Sequence, residues 1–117
     1  MALDLFAGIP VRDRGAALSW YERLLGSPPA FFPNEIEAVW QVSEHGYVYI
    51  VQRPEGAGHA VHTLFVDDFD ARVAAMAERG LEPATRETYG NGVRKATYVD
   101  PDGNEVGIGG APARSEA

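Results

Sequence analysis

The clearest order in the chain is a pattern of apolar positions that occurs twice. After a short apolar segment, Leu5-Phe6-Ala7-Gly8-Ile9, the residues Ala17, Leu18, Tyr21, Leu24 and Leu25 fall at i, i+1, i+4, i+7 and i+8. That spacing puts them on one face of a helix. Asp13 stands where an N-cap carboxylate can accept from an orphan amide of the first turn. Gly26 suits a left-handed C-terminal residue, and Pro28-Pro29 prevents continuation. The second half repeats the plan. Val61 to Val66 is a short run of β-formers ending at Asp67-Asp68, and Phe69, Val73, Met76 and Ala77 then mark a helix that stops at Gly80. The interval from Asp13 to Gly26 equals that from Asp67 to Gly80.

Strand-like segments follow each helix. In the first half they are Glu37–Ser43 and Tyr47–Arg53, around Glu44-His45-Gly46, with Ala30–Pro33 as a weaker additional strand. In the second half they are Glu82–Tyr89, Val93–Val99 and Glu105–Ile108, the last two flanking the turn Asp100-Pro101-Asp102-Gly103-Asn104. Each half therefore reads strand, helix, then two or three antiparallel strands. One copy alone would leave a sheet face uncovered, whereas two copies can pair around a shared concavity with a helix behind each. The expected class is α+β: two βαβββ modules, about 4–54 and 59–110, in one domain spanning 1–110. The linker is Pro54-Glu55-Gly56-Ala57-Gly58, and residues 111–117 form a flexible tail.

Composition narrows the function. The 117 residues are 45% hydrophobic, enough for a core. Ten basic residues against 17 acidic ones leave no cationic surplus for phosphates, so no nucleic-acid partner is expected. The absence of cysteine excludes disulfides, thiolate metal sites and cysteine nucleophiles. No apolar run approaches the ~20 residues of a membrane span, and Met1-Ala2-Leu3-Asp4-Leu5 lacks a signal-peptide pattern. A cytoplasmic location without membrane contact is the expectation.

The paired modules resemble the vicinal oxygen chelate superfamily of glyoxalases, bleomycin-resistance proteins and extradiol dioxygenases. The likeness covers residues 4–109. It is carried by Val11-Arg12-Asp13 leading to Trp20-Tyr21 and Leu25-Gly26, by Val66-Asp67 leading to Gly80, and above all by Tyr98-Val99-Asp100-Pro101-Asp102-Gly103-Asn104-Glu105. In catalytic members of that superfamily, four cavity-facing side chains hold a divalent ion. The resemblance places those positions at Phe6, Ile50 (with Gln52 the nearby donor), Val61 and Gly107. Phenylalanine, valine and glycine side chains offer no lone pair to a divalent ion, so three of the four ligands are missing. No metal or other cofactor is expected.

The histidines do not repair this. His45 falls in a turn and His59 beside the linker. In the register that the resemblance implies, His62 alternates away from the cavity-facing Val61, Thr63 and Phe65 and shares the helix-packed face with Leu64 and Val66. The expected ligand-binding residues are Phe6, Gly8, Phe32, Trp40, Ile50, Gln52, Val61, Thr63, Phe65, Glu105 and Gly107. Among these, Gly8 and Gly107 open room, and aromatic faces stack on a planar ligand. No catalytic residue is assigned. With no strong charge placed in the cavity, specificity would rest on shape, aromatic contact and hydroxyls such as that of Thr63. The function expected is metal-free binding of a small apolar or planar compound, as in bleomycin resistance, by a homodimer. The alternative is a metal-dependent glyoxalase or dioxygenase with unconventional or partner-supplied ligands.

Overall fold

The computed structural model describes residues 3–113. The expected tail begins at Ala111; its residues 114–117 lie outside the described part. The element order is β1 (Leu5–Val11), α1 (Arg14–Leu25), β2 (Glu37–Ser43), β3 (Gly46–Gln52), β4 (Val61–Val66), α2 (Phe69–Glu78), β5 (Thr85–Thr88), β6 (Arg94–Val99) and β7 (Glu105–Gly110), with a single 3-10 turn at Pro54–Gly56 in the linker. This is the α+β plan of two similar modules.

The first sheet has the order β1-β3-β2 and the second β4-β7-β6-β5. In each, the strand before the helix runs parallel to the last strand of its module and the remaining pairs are antiparallel, so both sheets are mixed. The segment Ala30–Pro33 contributes only an isolated bridge, Phe31 to Val39, so the first sheet has three strands. Pro28, Pro29 and Pro33 crowd that segment and deprive it of the amides a full ladder needs.

The helices end as their sequences dictate, though not identically. Asp13 caps α1 by accepting from the Ala16 amide at 3.1 Å, and Gly26 closes it at φ 82°. The second helix starts one residue later than the repeat implies, after Asp68. That carboxylate makes no capping bond and instead pairs with Arg72 one turn on, at 2.8 Å. Arg79, just past α2, donates to the carbonyls of Arg23 and Leu24 and so covers the C-terminus of its counterpart.

One core is shared by both modules. Ile9, Val11, Trp20, Tyr21, Leu24, Trp40 and Ile50 from the first half join Phe69, Val73, Met76, Tyr98 and Ile108 from the second. The modules are fastened at the Asp-Pro-Asp-Gly-Asn turn. Asn104 is fully buried, accepts from the amides of Gly58 and Ala60, and donates to the Pro10 carbonyl and to Asp100. Tyr21 of α1 donates its hydroxyl to Asp100 at 2.7 Å, and Arg12 pairs with Asp102. Burial, followed by the bond to Asp100, holds the Tyr21 phenol far above its ordinary pKa.

Candidate functional site

Strand alternation gives each sheet an inward face, packed in the core, and an outward face. Phe6 and Gly8 lie on the outward face of the first sheet. Phe6 stacks on Tyr47 with ring centroids 4.4 Å apart, and Tyr49 lies across Gly8. Phe6, Phe31, Pro33, Glu37, Val39 and Tyr49 line a hollow of about 260 Å³ on this side. The second sheet turns out Val61, Thr63 and Phe65 from β4, with Glu105 and Gly107 from β7. In register, Val61 faces Glu105 and Thr63 faces Gly107. Val61 and Phe65 are well exposed, at 63% and 66%.

Two expected site residues point the other way. Trp40 and Ile50 are buried in the core at 2% and 0% exposure, and the Trp40 indole donates to the Ser27 carbonyl. On β2 and β3 the outward positions are Val39 and Tyr49, one residue before each. The shift of one reverses the face, as the two-residue period of a strand requires. Tyr98 is likewise inward. Its hydroxyl is buried without a partner among the described residues, and burial raises its pKa. Gln52 is outside the hollow as well: its side-chain carbonyl accepts from the Arg14 amide at 3.0 Å and covers the start of α1. Phe32 is half exposed, with the Arg14 guanidinium 5.0 Å from its ring centre.

The space expected above the two glycines is already used. A Cβ on Gly8 would fall 2.6 Å from the Tyr49 ring, and one on Gly107 would fall 2.6 Å from Lys95 Cε and 3.1 Å from Thr63 Oγ1. Glycine here makes room for neighbouring side chains of the protein itself. Lys95 thereby brings a cation to a face on which the sequence suggested none. No signal within β6 reveals it, because its place over Gly107 depends on the register of β6 against β7.

A crevice of about 350 Å³ lies where the modules meet, lined by inward residues such as Leu5, Val48 and Leu64 and also by the expected site residues Thr63 and Phe65, with Arg72 among its walls. His62 borders it too, on the inward face as expected, and its Nε2 donates to the Gly8 carbonyl at 3.0 Å, which ties β4 to β1. His59 is exposed beside the linker, and His45, at its turn, pairs with Asp4 at 2.8 Å.

Residues 3–108 match the model of the Glyoxalase/Bleomycin resistance protein/Dioxygenase superfamily, and the chain belongs to that family. It is similar to a glyoxalase / bleomycin resistance protein from Catenulispora acidiphila DSM 44928, with 58% identity over 95% of this chain and 100% of that one, at a TM-score of 0.91. The same fold occurs in a bleomycin-binding protein complexed with bleomycin, at 20% identity, 93% and 98% coverage and a TM-score of 0.76. It occurs again in TnmS3, an antibiotic-binding protein from Streptomyces sp. CB03234, at 23% identity, 97% and 98% coverage and a TM-score of 0.71. No curated protein matches the chain.

The residues at the positions that the resemblance assigns to a divalent ion do not fit one. Phe6, Val61 and Gly107 have no donor atom in their side chains, and Ile50 is in the core. Among the described residues no three of His, Cys, Asp and Glu come together as ligands. No helix among them is long and apolar enough to cross a membrane.

Proposed function

We propose that the protein binds a small planar or apolar molecule without a metal ion and without transforming it. What carries this reading is the chemistry of the positions that the family register assigns to the metal ligands, where Phe6, Val61 and Gly107 offer no side-chain atom to a divalent ion. The stacked Phe6–Tyr47 pair and the hollow beside it supply flat apolar contact instead. Two neighbours whose names state bleomycin and antibiotic binding share the fold, which is consistent with such a role. The direct test is elemental analysis of dialysed protein, followed by glyoxalase assays with added zinc, nickel and manganese. The expected result is neither stoichiometric metal nor metal-restored turnover. Either one would replace this reading with that of a metal-dependent enzyme.

The binding unit is a homodimer in this reading. Each outward face leaves large apolar side chains uncovered, among them Phe6, Phe31, Val61 and Phe65, and a second copy supplies a surface to cover them. Light scattering at micromolar concentration should give about twice the 12.7 kDa chain mass. A single-chain mass would remove the dimer and leave the binding reading to be tested on the monomer.

A further inference from the structure

We propose that Lys95 is the polar anchor of the outward face of the second sheet, and that the molecule it holds carries an anionic oxygen, in the simplest case a carboxylate on a planar apolar body. The inference rests on the ligand-binding reading above and makes its chemistry specific.

Lys95 lies on β6 between Glu87 of β5 and Gly109 of β7 in register. A lysine directly opposite a glutamate on an antiparallel pair has a cross-strand ion pair within reach. Lys95 does not take it. The ion pairs among the described residues belong to arginines and to His45. Its stem runs the other way, across β7, with Cε 2.6 Å and Nζ 3.6 Å from the place a Cβ on Gly107 would occupy. Thr63 Oγ1, from β4, is 3.1 Å from that same place. An ammonium and a hydroxyl from two strands therefore converge above one glycine.

An ammonium has three donors and no acceptor, and the threonine hydroxyl can donate beside it. An anionic oxygen seated against the Lys95 ammonium and the Thr63 hydroxyl, over the stem that fills the space at Gly107, would receive a charge-assisted bond from one and a hydroxyl bond from the other, and bonds of the first kind are roughly twice as strong as neutral ones. Lys95 is partly buried, so its charge is less screened than on an open surface. Val61 and Phe65, flanking Thr63 on β4, give the body of the ligand apolar contact. The carboxylates on this face, Glu87 and Glu105, disfavour further negative charge, so the class is a monoanion. In a chain of net charge -7, the attraction is local to this cation and does not arise from the overall field.

The test compares 2-naphthoate with uncharged 2-naphthamide by calorimetry, on the wild-type chain and on Lys95→Met, Lys95→Arg and Thr63→Val. Melting temperatures confirm that each variant is folded. Naphthoate should bind about tenfold more tightly than the amide. Lys95→Met should erase that preference, with naphthoate losing about tenfold more affinity than the amide, while Lys95→Arg retains most of it and Thr63→Val lowers it in part. A preference that survives Lys95→Met, or one for the amide in the wild type, overturns the anchor and leaves the binding reading standing. If neither probe binds at millimolar concentration, the binding reading fails, and the anchor falls with it.

Discussion

The two outward faces arise from the same repeated plan but have become chemically unlike. The first is aromatic: Phe6 on Tyr47, Tyr49 folded over Gly8, and Phe31 bridging to Val39. The second is polar at its centre, where Lys95 and Thr63 meet over Gly107, with apolar flanks at Val61 and Phe65. In both, a glycine lets one long side chain lie flat on the sheet, an aromatic ring in one case and an alkyl stem with a charged end in the other. The inward faces show no such divergence, since both must fill one common core. A duplicated module can thus keep its packing half fixed while the other half diverges, one sheet presenting aromatic rings and the other a lysine beside a hydroxyl.

The dependence of the modules on each other should give the largest effect. Asn104→Ala leaves the amides of Gly58 and Ala60 and the Pro10 carbonyl without their partner. A loss of about 3 kcal/mol or more, read by urea denaturation, is expected, with both sheets melting together. Survival of one sheet after the other melts would show that the modules are energetically separate.

Tyr21→Phe is next, at about 1–2 kcal/mol, because Asp100 keeps its bond from Asn104. The same tyrosine sets an alkaline limit. Its folded pKa lies above its unfolded one, so this contribution is complete below about pH 10 and declines as the pH rises further. Stability measured from pH 8 to 11 should fall at the alkaline end for the wild type, and less steeply for Tyr21→Phe.

Two glycine substitutions address the unlike faces directly. Gly8→Ala pushes the end of the Tyr49 ring, and Gly107→Ala pushes the Lys95 stem, so each should cost within about 1 kcal/mol of stability. On the binding reading, Gly107→Ala displaces the Lys95 stem and weakens chiefly naphthoate, whereas Gly8→Ala, on the other sheet, leaves the preference for naphthoate over naphthamide unchanged. Equal responses would merge the two faces into one kind of surface. The helix caps give the smallest difference. Asp13→Ala removes a capping bond, at about 1 kcal/mol, whereas Asp68→Ala removes only an exposed ion pair, at about 0.5 kcal/mol or less.

Elements set by local chemistry were legible in the chain. The spacing of Ala17, Tyr21 and Leu24, the cap at Asp13 and the stop at Gly26 all act within a few residues, and both helices and all seven strands follow from such signals. The orientation of Trp40 and Ile50 was not legible. An apolar run such as Ala38-Val39-Trp40 or Tyr49-Ile50-Val51 lacks the alternation that marks one face, and the choice is made by what α1 offers across the core. β4 also carries apolar residues on both faces, and it is the register of the family resemblance, counted back from Val66-Asp67, that assigns Val61, Thr63 and Phe65 outward and His62 inward, in agreement with the alternating burial of the strand. Lys95 was missed because its importance depends on a glycine on the neighbouring strand, a relation that exists only once the sheet is in register.

The clamp at Asn104 makes the covalent linker less important than it looks. Gly58 and Ala60 are held by that side chain, Arg12 and Tyr21 reach the same turn from the first half, and the helices share a core. Pro54 and Glu55, by contrast, are exposed on the connecting 3-10 turn. A chain cut between Glu55 and Gly56 should therefore remain whole in solution, its halves leaving a sizing column together. The two pieces, made separately and mixed, should reassemble, because the information that joins them is written in side chains rather than in the peptide bond between them.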